Sequence, residues 1–271
     1  MLPLSWEDMT GPEVAAHTAA YPREVGLLPV GATEQHGPHL PTGTDTIIAK
    51  GLAEAVSART GAPVLPAVSI ACSYGHGRSL GGTLSLSPEQ TAAEVMAIAD
   101  WAASSGLRRI LAVNAHMGNS AALMVASDHI RLERPDLRIG LVNWWEAAPD
   151  VAALMTTDGD DIHANRGETS LMLALAPDRV RRDLLATADD EDRTAGLVFR
   201  YTATSLSVNG VTGRPSEADE SFGASLLEIT VSALCERVER ARLEEPPLVE
   251  HRPAPRLTAG AGAAPGSERP W

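Results

Sequence analysis

The sequence predicts an α/β fold built on a mostly parallel sheet with helices on both faces. Short apolar runs of strand length alternate with longer runs of helical spacing, which is the rhythm of a parallel sheet. Two polar clusters directly follow strand candidates, where such a sheet places its ligand site, beyond the carboxyl ends of the strands.

Taken in order, residues 25–30 (VGLLPV) read as a buried strand, with Pro29 placing it at an edge or a strand end. Residues 46–58 carry Ile47, Ile48, Leu52, Ala55 and Val56 at helical spacing. Residues 63–70 (PVLPAVSI) read as a second strand. Ser87-Pro88-Glu89 has the form of a helix start, with serine at the N-cap and proline in the first turn. It leads into a helix over 90–105 that Gly106 closes, and residues 109–113 (RILAV) follow as a strand. A helix over 120–134 and a strand over 137–142 continue the alternation. The charged stretch 187–194 reads as a surface loop, and 217–242 as a long final helix with apolar residues from Leu226 to Val238. Residues 1–243 thus form one domain. The segment 244–271, rich in Pro, Ala, Gly and Arg, is a tail that buries little.

Composition narrows the function classes. The chain has 271 residues, 44% hydrophobic and 21% charged, which suits a globular protein with an ample core. Its 22 Lys and Arg against 35 Asp and Glu give a net charge of −13, unfavourable for nucleic acid or an anionic membrane. The two cysteines, Cys72 and Cys235, lie far apart and outside any CxxC pattern, so a reducing cytoplasm is the simplest compartment. The first residues are too acidic and too short in apolar run for a signal peptide, and no stretch reaches the length of a membrane span.

The densest polar cluster runs from Gly31 to Asp45 as GATEQHGPHLPTGTD. Glu34 and His36 stand two apart, so in an extended segment both side chains point the same way and reach one ion. Gly37, Pro38, Pro41 and Gly43 make a rigid turn able to swing Asp45 back beside them. A Glu/His/Asp set suits zinc, manganese or iron, and Asp45, with two oxygens, is able to bridge a pair of ions. The second cluster is Asn114-Ala-His116-Met-Gly118-Asn119, directly after a strand; its alternative reading is a strand-to-helix turn with a satisfied histidine. The third is DIHANRGETS, residues 161–170. There His163 lies in a loop, and Glu168 in a first helical turn, where the dipole favours a carboxylate in any case.

Together these segments resemble the creatininase family of amidohydrolases over residues 4–242. The resemblance rests on LPVGATEQHGPHLPTGTD (28–45), NAHMGN (114–119) and DIHANRGETS (161–170). It implies a three-layer α/β/α sandwich, a homo-oligomer up to a hexamer, and a centre of two divalent ions. Glu34, His36, Asp45 and His116 would be the ligands, with Asp45 shared; His163 would be the catalytic histidine and Glu168 the acidic residue after it. Members open cyclic amides such as creatinine, deformylate formamidopyrimidines, or trim a small ribosomal peptide in mycofactocin biosynthesis. Three departures qualify the match. Creatininase itself carries a glutamate where this chain has Gly118, which argues against creatinine and makes Glu168 the candidate fifth ligand. Ala115 and Met117 replace the glycines of the commoner NGHGGN. The segment 73–83 is shorter than the usual substrate loop, yet offers His76 and Arg78 as substrate contacts.

His39 reads equally as a support to the ligands or as a turn-stabilising residue. Trp144 and Trp145 follow a strand end; stacking on a planar substrate and a role in the core or a subunit interface are both open. The mechanism expected is attack on a small-molecule amide by water activated between two ions, with His163 carrying the proton to the leaving nitrogen. Two rivals stand beside it. A two-metal phosphoesterase would need basic residues, and the motifs are nearly free of arginine. A non-catalytic scaffold would not need Glu34, His36, Asp45, His116 and His163 all intact.

Overall fold

The computed structural model describes residues 2–248. Three parallel strands, β1 (Gly26–Val30), β2 (Arg109–Asn114) and β3 (Arg138–Asn143), pair in chain order. Around them lie the helices α1 (Gly11–Ala20), α2 (Thr44–Thr60), α3 (Pro88–Ser104), α4 (Ser120–Glu133), α5 (Pro149–Met155), α6 (Arg166–Leu175), α7 (Ala203–Leu206) and α8 (Glu220–Leu243).

Alternation along the strands separates two cores. Leu27 pairs with Leu111, and these two, with Val113 and Val142, face a core shared with α2, α5, α6 and α8. Leu28 pairs with Ala112, and with Val30 and Ile110 they face a second core shared with α3 and α4. This is the layered arrangement that the strand–helix alternation predicts, with helices on both faces. All three strands point the same way, so their carboxyl ends, at Val30, Asn114 and Asn143, open on one rim of the sheet.

The expected strand over 63–70 does not form. The segment runs parallel beside β1 and bridges it only at Val64 and Val68. The amide of Leu27 donates to the Pro63 carbonyl and that of Val68 to the Pro29 carbonyl. Between those points neither Pro29 nor Pro66 has an N–H to give, so the ladder is cut. The α3 start is as predicted: Ser87 Oγ accepts from the Gln90 amide and the Gln90 side chain reaches back to the Ser87 amide. The final helix begins at Glu220 rather than at 217, because Pro215–Glu217 makes a 3-10 turn and Asp219 caps α8 through the Ser221 and Phe222 amides.

The stretch 187–194 is the expected surface loop, with Asp189, Glu191 and Arg193 exposed, but two of its acids turn inward. Asp190 is buried and accepts from the Ser207 hydroxyl and the Val208 amide, while Asp192 holds the amides of Asp160 and Asp161. Among the described residues no helix is long and apolar enough to cross a membrane. From position 249 the expected tail lies outside the described residues.

Candidate metal centre

Each of the polar clusters is carried to the sheet rim by its own element. Glu34 and His36 lie on the loop leaving β1, and at Gly37 (φ 64°) the chain makes the left-handed turn that glycine tolerates. The loop returns into the first turn of α2, where Asp45 is buried and its Oδ1 lies 3.1 Å from His36 Nε2. His116 follows β2. Asn114 grips it from both sides, its amide donating to the His116 carbonyl at 2.8 Å and its oxygen accepting the His116 amide at 3.1 Å. Asn119 joins this turn to its neighbours by donating to the Gly31 carbonyl and accepting the Cys72 amide. The NAHMGN motif is therefore a set of splints around one histidine.

His163 and Glu168 come from the loop before α6. Ala164 adopts φ 53°, an uncommon backbone for a residue with a Cβ, and its amide donates to Glu168 Oε2 at 2.6 Å. Asn165 caps α6 on the Glu168 amide. Glu168 thus occupies a helix start and also faces the centre, with Oε2 3.7 Å from His36 Nε2. The same oxygen of Glu34, Oε1, is approached by His116 Nδ1 at 3.1 Å, His76 Nε2 at 3.0 Å and His163 Nδ1 at 3.7 Å. Asp45 spans the gap: Oδ1 lies toward His36, and Oδ2 lies 3.4 Å from His116 Nδ1.

Hydrogen bonds on the outer ring nitrogens select which inner nitrogen faces the centre. His36 Nδ1 donates to the Glu34 carbonyl at 3.1 Å, leaving Nε2 directed at Asp45 and Glu168. His116 Nε2 donates to the Cys72 carbonyl at 2.9 Å, leaving Nδ1 directed at Glu34 and Asp45. Gly118 is required here, since a Cβ would collide with His116 Nε2 and the Cys72 carbonyl and so displace that bond.

Charge in the pocket is tightly balanced. Burial would raise the Glu34 carboxyl, but His116 and His76 hold it well below the usual carboxylate range. Burial and the nearby Glu34 push Asp45 up to about 6. His36 and His116 would be lowered by burial, yet Asp45 and Glu168 raise the first well above its ordinary value, and Glu34 and Asp45 raise the second to about 9. Burial, with His36 and His76 beside it, holds His163 well below its ordinary value, so it stays a neutral base. Protons on His36 and His116 stand where the carboxylates call for positive charge.

These residues fit a pair of divalent cations. Both Glu34 oxygens and Asp45 Oδ2 are buried and receive no well-directed hydrogen bond, although imidazole nitrogens crowd around them. Unmade bonds on buried carboxylates are costly, and Glu, Asp and His ligand atoms that converge while leaving such oxygens unpaired mark a ligand set. Three convergent triads of ligand atoms meet here: Glu34, His36 and Asp45; His36, His163 and Glu168; and Glu34, His76 and His163.

Other residues singled out in the sequence are placed as follows. His76 is buried against Glu34, within the centre itself. Arg78 is exposed. Trp144 and Trp145 are buried in the hydrophobic core, so the stacking surface considered for them is not presented. His39 bonds Thr169, the neighbour of Glu168, and ties the first loop to α6; burial lowers it to about 4. Sequence reasoning passed over Gln35, whose buried side chain touches His76 and His163. Its place between Glu34 and His36 was the available signal.

The chain matches the creatininase family profile, described as creatinine amidohydrolase, over residues 7–238. The chain belongs to the creatininase family. It is 34% identical over 226 residues to the mycofactocin precursor peptide peptidase of Mycolicibacterium smegmatis, covering 79% of this chain and 84% of that protein. It is 29% identical over 236 residues to the creatinine amidohydrolase of Pseudomonas putida, covering 82% and 90%. A crystal structure of creatinine amidohydrolase superposes with a TM-score of 0.77 at 26% identity, covering 90% of this chain and 99% of that one. Two further creatininase structures, one described as Zn-Zn type and one as Mn, give TM-scores of 0.76 and 0.75 at 27% and 26% identity, covering 89% and 88% of this chain and 98% of each. This creatininase-family chain is a hydrolase, and its relatives are named for different substrates.

Proposed function

We propose that this chain hydrolyses the carbon–nitrogen bond of a small amide. The observation that carries the reading is the set of buried, unbonded oxygens on Glu34 and Asp45 ringed by His36, His116 and His163. Glu34, Asp45 and His116 would hold one cation, and His36, Asp45 and Glu168 a second, from zinc, manganese or iron. Bound there, the cations supply Lewis acidity toward a carbonyl and lower the pKa of water.

The remaining chemistry falls to the side chains. His163, neutral and with Nδ1 turned into the centre, takes a proton from the attacking water and returns it to the departing nitrogen. His76 and Arg78 line the substrate side in this reading. A formamide or a short peptide fits better than creatinine, because Gly118 supplies no carboxylate. The name of the peptidase of Mycolicibacterium smegmatis, on a protein 34% identical to this one, favours the peptide. Among the described residues Glu34, Asp45 and Glu168 pair with histidines and with no arginine, which speaks against a phosphate ester. We place the enzyme in the cytoplasm as a homo-oligomer, with residues 244–271 outside the catalytic domain.

The test is metal analysis of the purified full chain together with assays on creatinine, N-formyl compounds, short peptides and p-nitrophenyl phosphate. About two ions per chain and turnover of an amide are expected. Turnover of the phosphate ester alone would sink the reading, and an ion-free oligomer inert on every substrate would favour a scaffold.

A further inference from the structure

We infer that Gln35 is the positioning residue of this centre, giving His76 and His163 opposite hydrogen-bonding roles toward it. The catalytic meaning rests on the hydrolase reading above; the proton placement does not. Gln35 is buried, and its amide orientation is fixed because Oε1 accepts the Gly37 amide at 3.0 Å. Its nitrogen, Nε2, therefore holds two hydrogens but has three neighbours: the Gly210 carbonyl at 3.0 Å, His76 Nδ1 at 3.0 Å and His163 Nε2 at 2.9 Å. The backbone carbonyl of Gln35 also lies 2.9 Å from His163 Nε2.

One arrangement leaves every acceptor with a proton. The amide hydrogens go to the Gly210 carbonyl and His76 Nδ1, and His163 Nε2–H goes to the Gln35 carbonyl. The approach of the amide nitrogen to His163 is then a close contact and not a bond. In the reverse arrangement His163 Nε2 is bare and takes an amide hydrogen. The Gln35 carbonyl then meets a lone pair at 2.9 Å, and either Gly210 or His76 loses its donor.

Both imidazoles thus carry their proton on Nε2, but they are mounted in opposite senses. His76 turns its Nε2–H toward Glu34 Oε1 at 3.0 Å, and His163 turns its bare Nδ1 toward the same oxygen at 3.7 Å. Their ring centroids are 4.5 Å apart. The centre therefore presents one donor and one acceptor side by side. Amide hydrolysis uses both. The water proton passes to His163 Nδ1 as the C–O bond forms, and His76 Nε2–H steadies the negative oxygen. The C–N bond then breaks as His163 returns the proton to nitrogen.

The experiment is a long-range proton–nitrogen spectrum of the zinc-loaded full chain labelled with 15N-histidine, assigned with His76→Asn and His163→Asn. The Nε2–H tautomer is expected at both residues, and an Nδ1–H tautomer at either one overturns the assignment. Gln35→Met, which keeps bulk and removes the donor, is expected to release the His76 tautomer while His163 keeps its own. It should keep full metal content and KM within about twofold, with kcat down about 10–100-fold. Unchanged tautomers with unchanged kcat would also overturn the role. Gln35→Glu, an acceptor where a donor stood, is expected to drive the His76 proton to Nδ1; a retained Nε2–H there counts against the assignment. Should the protein turn over no amide, the hydrolase reading fails alone, and the tautomers still decide the placement.

Discussion

At the sheet rim, Glu34, Asp45 and Glu168 converge with four histidines in a buried pocket. Beside α5 and α6, Asp158, Asp160, Asp189, Asp190, Glu191 and Asp192 line another cavity, of about 660 Å³. Ranked by number of acids alone, the cavity beside α5 and α6 would be the better cation site. The hydrogen bonds say the opposite. Asp158 holds the amides of Arg166 and Arg214 and the side chain of Asn165. Asp190 and Asp192 are engaged by Ser207, Val208, Thr194, Asp160 and Asp161. Those carboxylates satisfy backbone that no strand or helix covers. At the rim, by contrast, Glu34 Oε2 and Asp45 Oδ2 are buried without a hydrogen bond, and Glu34 Oε1 meets only crowded imidazole nitrogens. Satisfied acids build the fold, and unsatisfied buried acids await a ligand.

The strongest way to break this comparison is Asp45→Ala. Asp45 is the one carboxylate whose two oxygens face different histidines, so its loss should remove both ions, whereas Glu34→Ala or His116→Ala should mainly weaken one site. Full occupancy in Asp45→Ala, measured by elemental analysis, would end the bridging assignment. Next comes His163→Ala, expected to keep its metal and lose turnover by ~10²–10⁴-fold, the usual contribution of a positioned proton carrier. A smaller effect is expected from Gly118→Ala, whose Cβ displaces the His116–Cys72 bond. Metal affinity should fall ~10–100-fold, the ordinary cost of losing such an outer partner. Gly118→Glu should do no better, since the new carboxylate arrives at the expense of His116. A titration in which Gly118→Glu binds metal more tightly than the parent would refute this.

The proton balance sharpens the comparison further. Burial lowers His116, but Glu34 and Asp45 outweigh it and raise the imidazole to about 9. A raised folded pKa stabilises the metal-free protein fully below the unfolded value near 6.5, and that contribution is lost as pH rises through about 9. A cation must displace the same proton, so affinity should climb with pH up to about 9, by at most about tenfold per unit for one proton. Calorimetric titrations at pH 7, 8 and 9 that give equal affinities and no proton release would contradict the raised His116.

How much of this was legible in the sequence follows from chain separation. Glu34, His36 and Asp45 sit within one glycine- and proline-rich turn, so their convergence could be read from local geometry. Likewise, the Ser87 cap and the alternation of β1 and β2 are local rules, and the structure keeps them. His76 reaches Glu34 across 42 positions by tertiary packing, which no spacing rule encodes. For Trp144 and Trp145 the place after a strand left a stacking surface and a core role both open, and only the tertiary packing, which buries them in the core, decides between the two. In the surface loop 187–194 charge alone was visible, while the partners of Asp190 and Asp192 at 207–208 and 160–161 were not. Over 63–70 the apolar run speaks for a strand, but the missing N–H groups of its prolines outweigh it.

The smallest expected effect lies in the cavity beside α5 and α6 and tests the comparison from its other side. Asp158 Oδ2 accepts two backbone amides, at 2.9 and 2.7 Å, and Oδ1 accepts Asn165 Nδ2 at 3.0 Å. In Asp158→Asn one oxygen becomes an NH2 group. Turned to keep the two amides, that group meets the Asn165 donor head-on. Asn165 cannot rotate to suit it, because Nδ2 also holds the Met155 carbonyl and Oδ1 caps the Glu168 amide. One buried bond is lost, worth about 1–3 kcal/mol. In a chain of this size that lowers the unfolding midpoint by roughly 2–10 °C. Metal content at the rim should not change, since none of these bonds reaches a candidate ligand except through the cap on α6. Thermal unfolding and elemental analysis of the same preparation read both quantities. A midpoint that holds while an ion is lost would mean that this cavity belongs to the centre and not to the architecture.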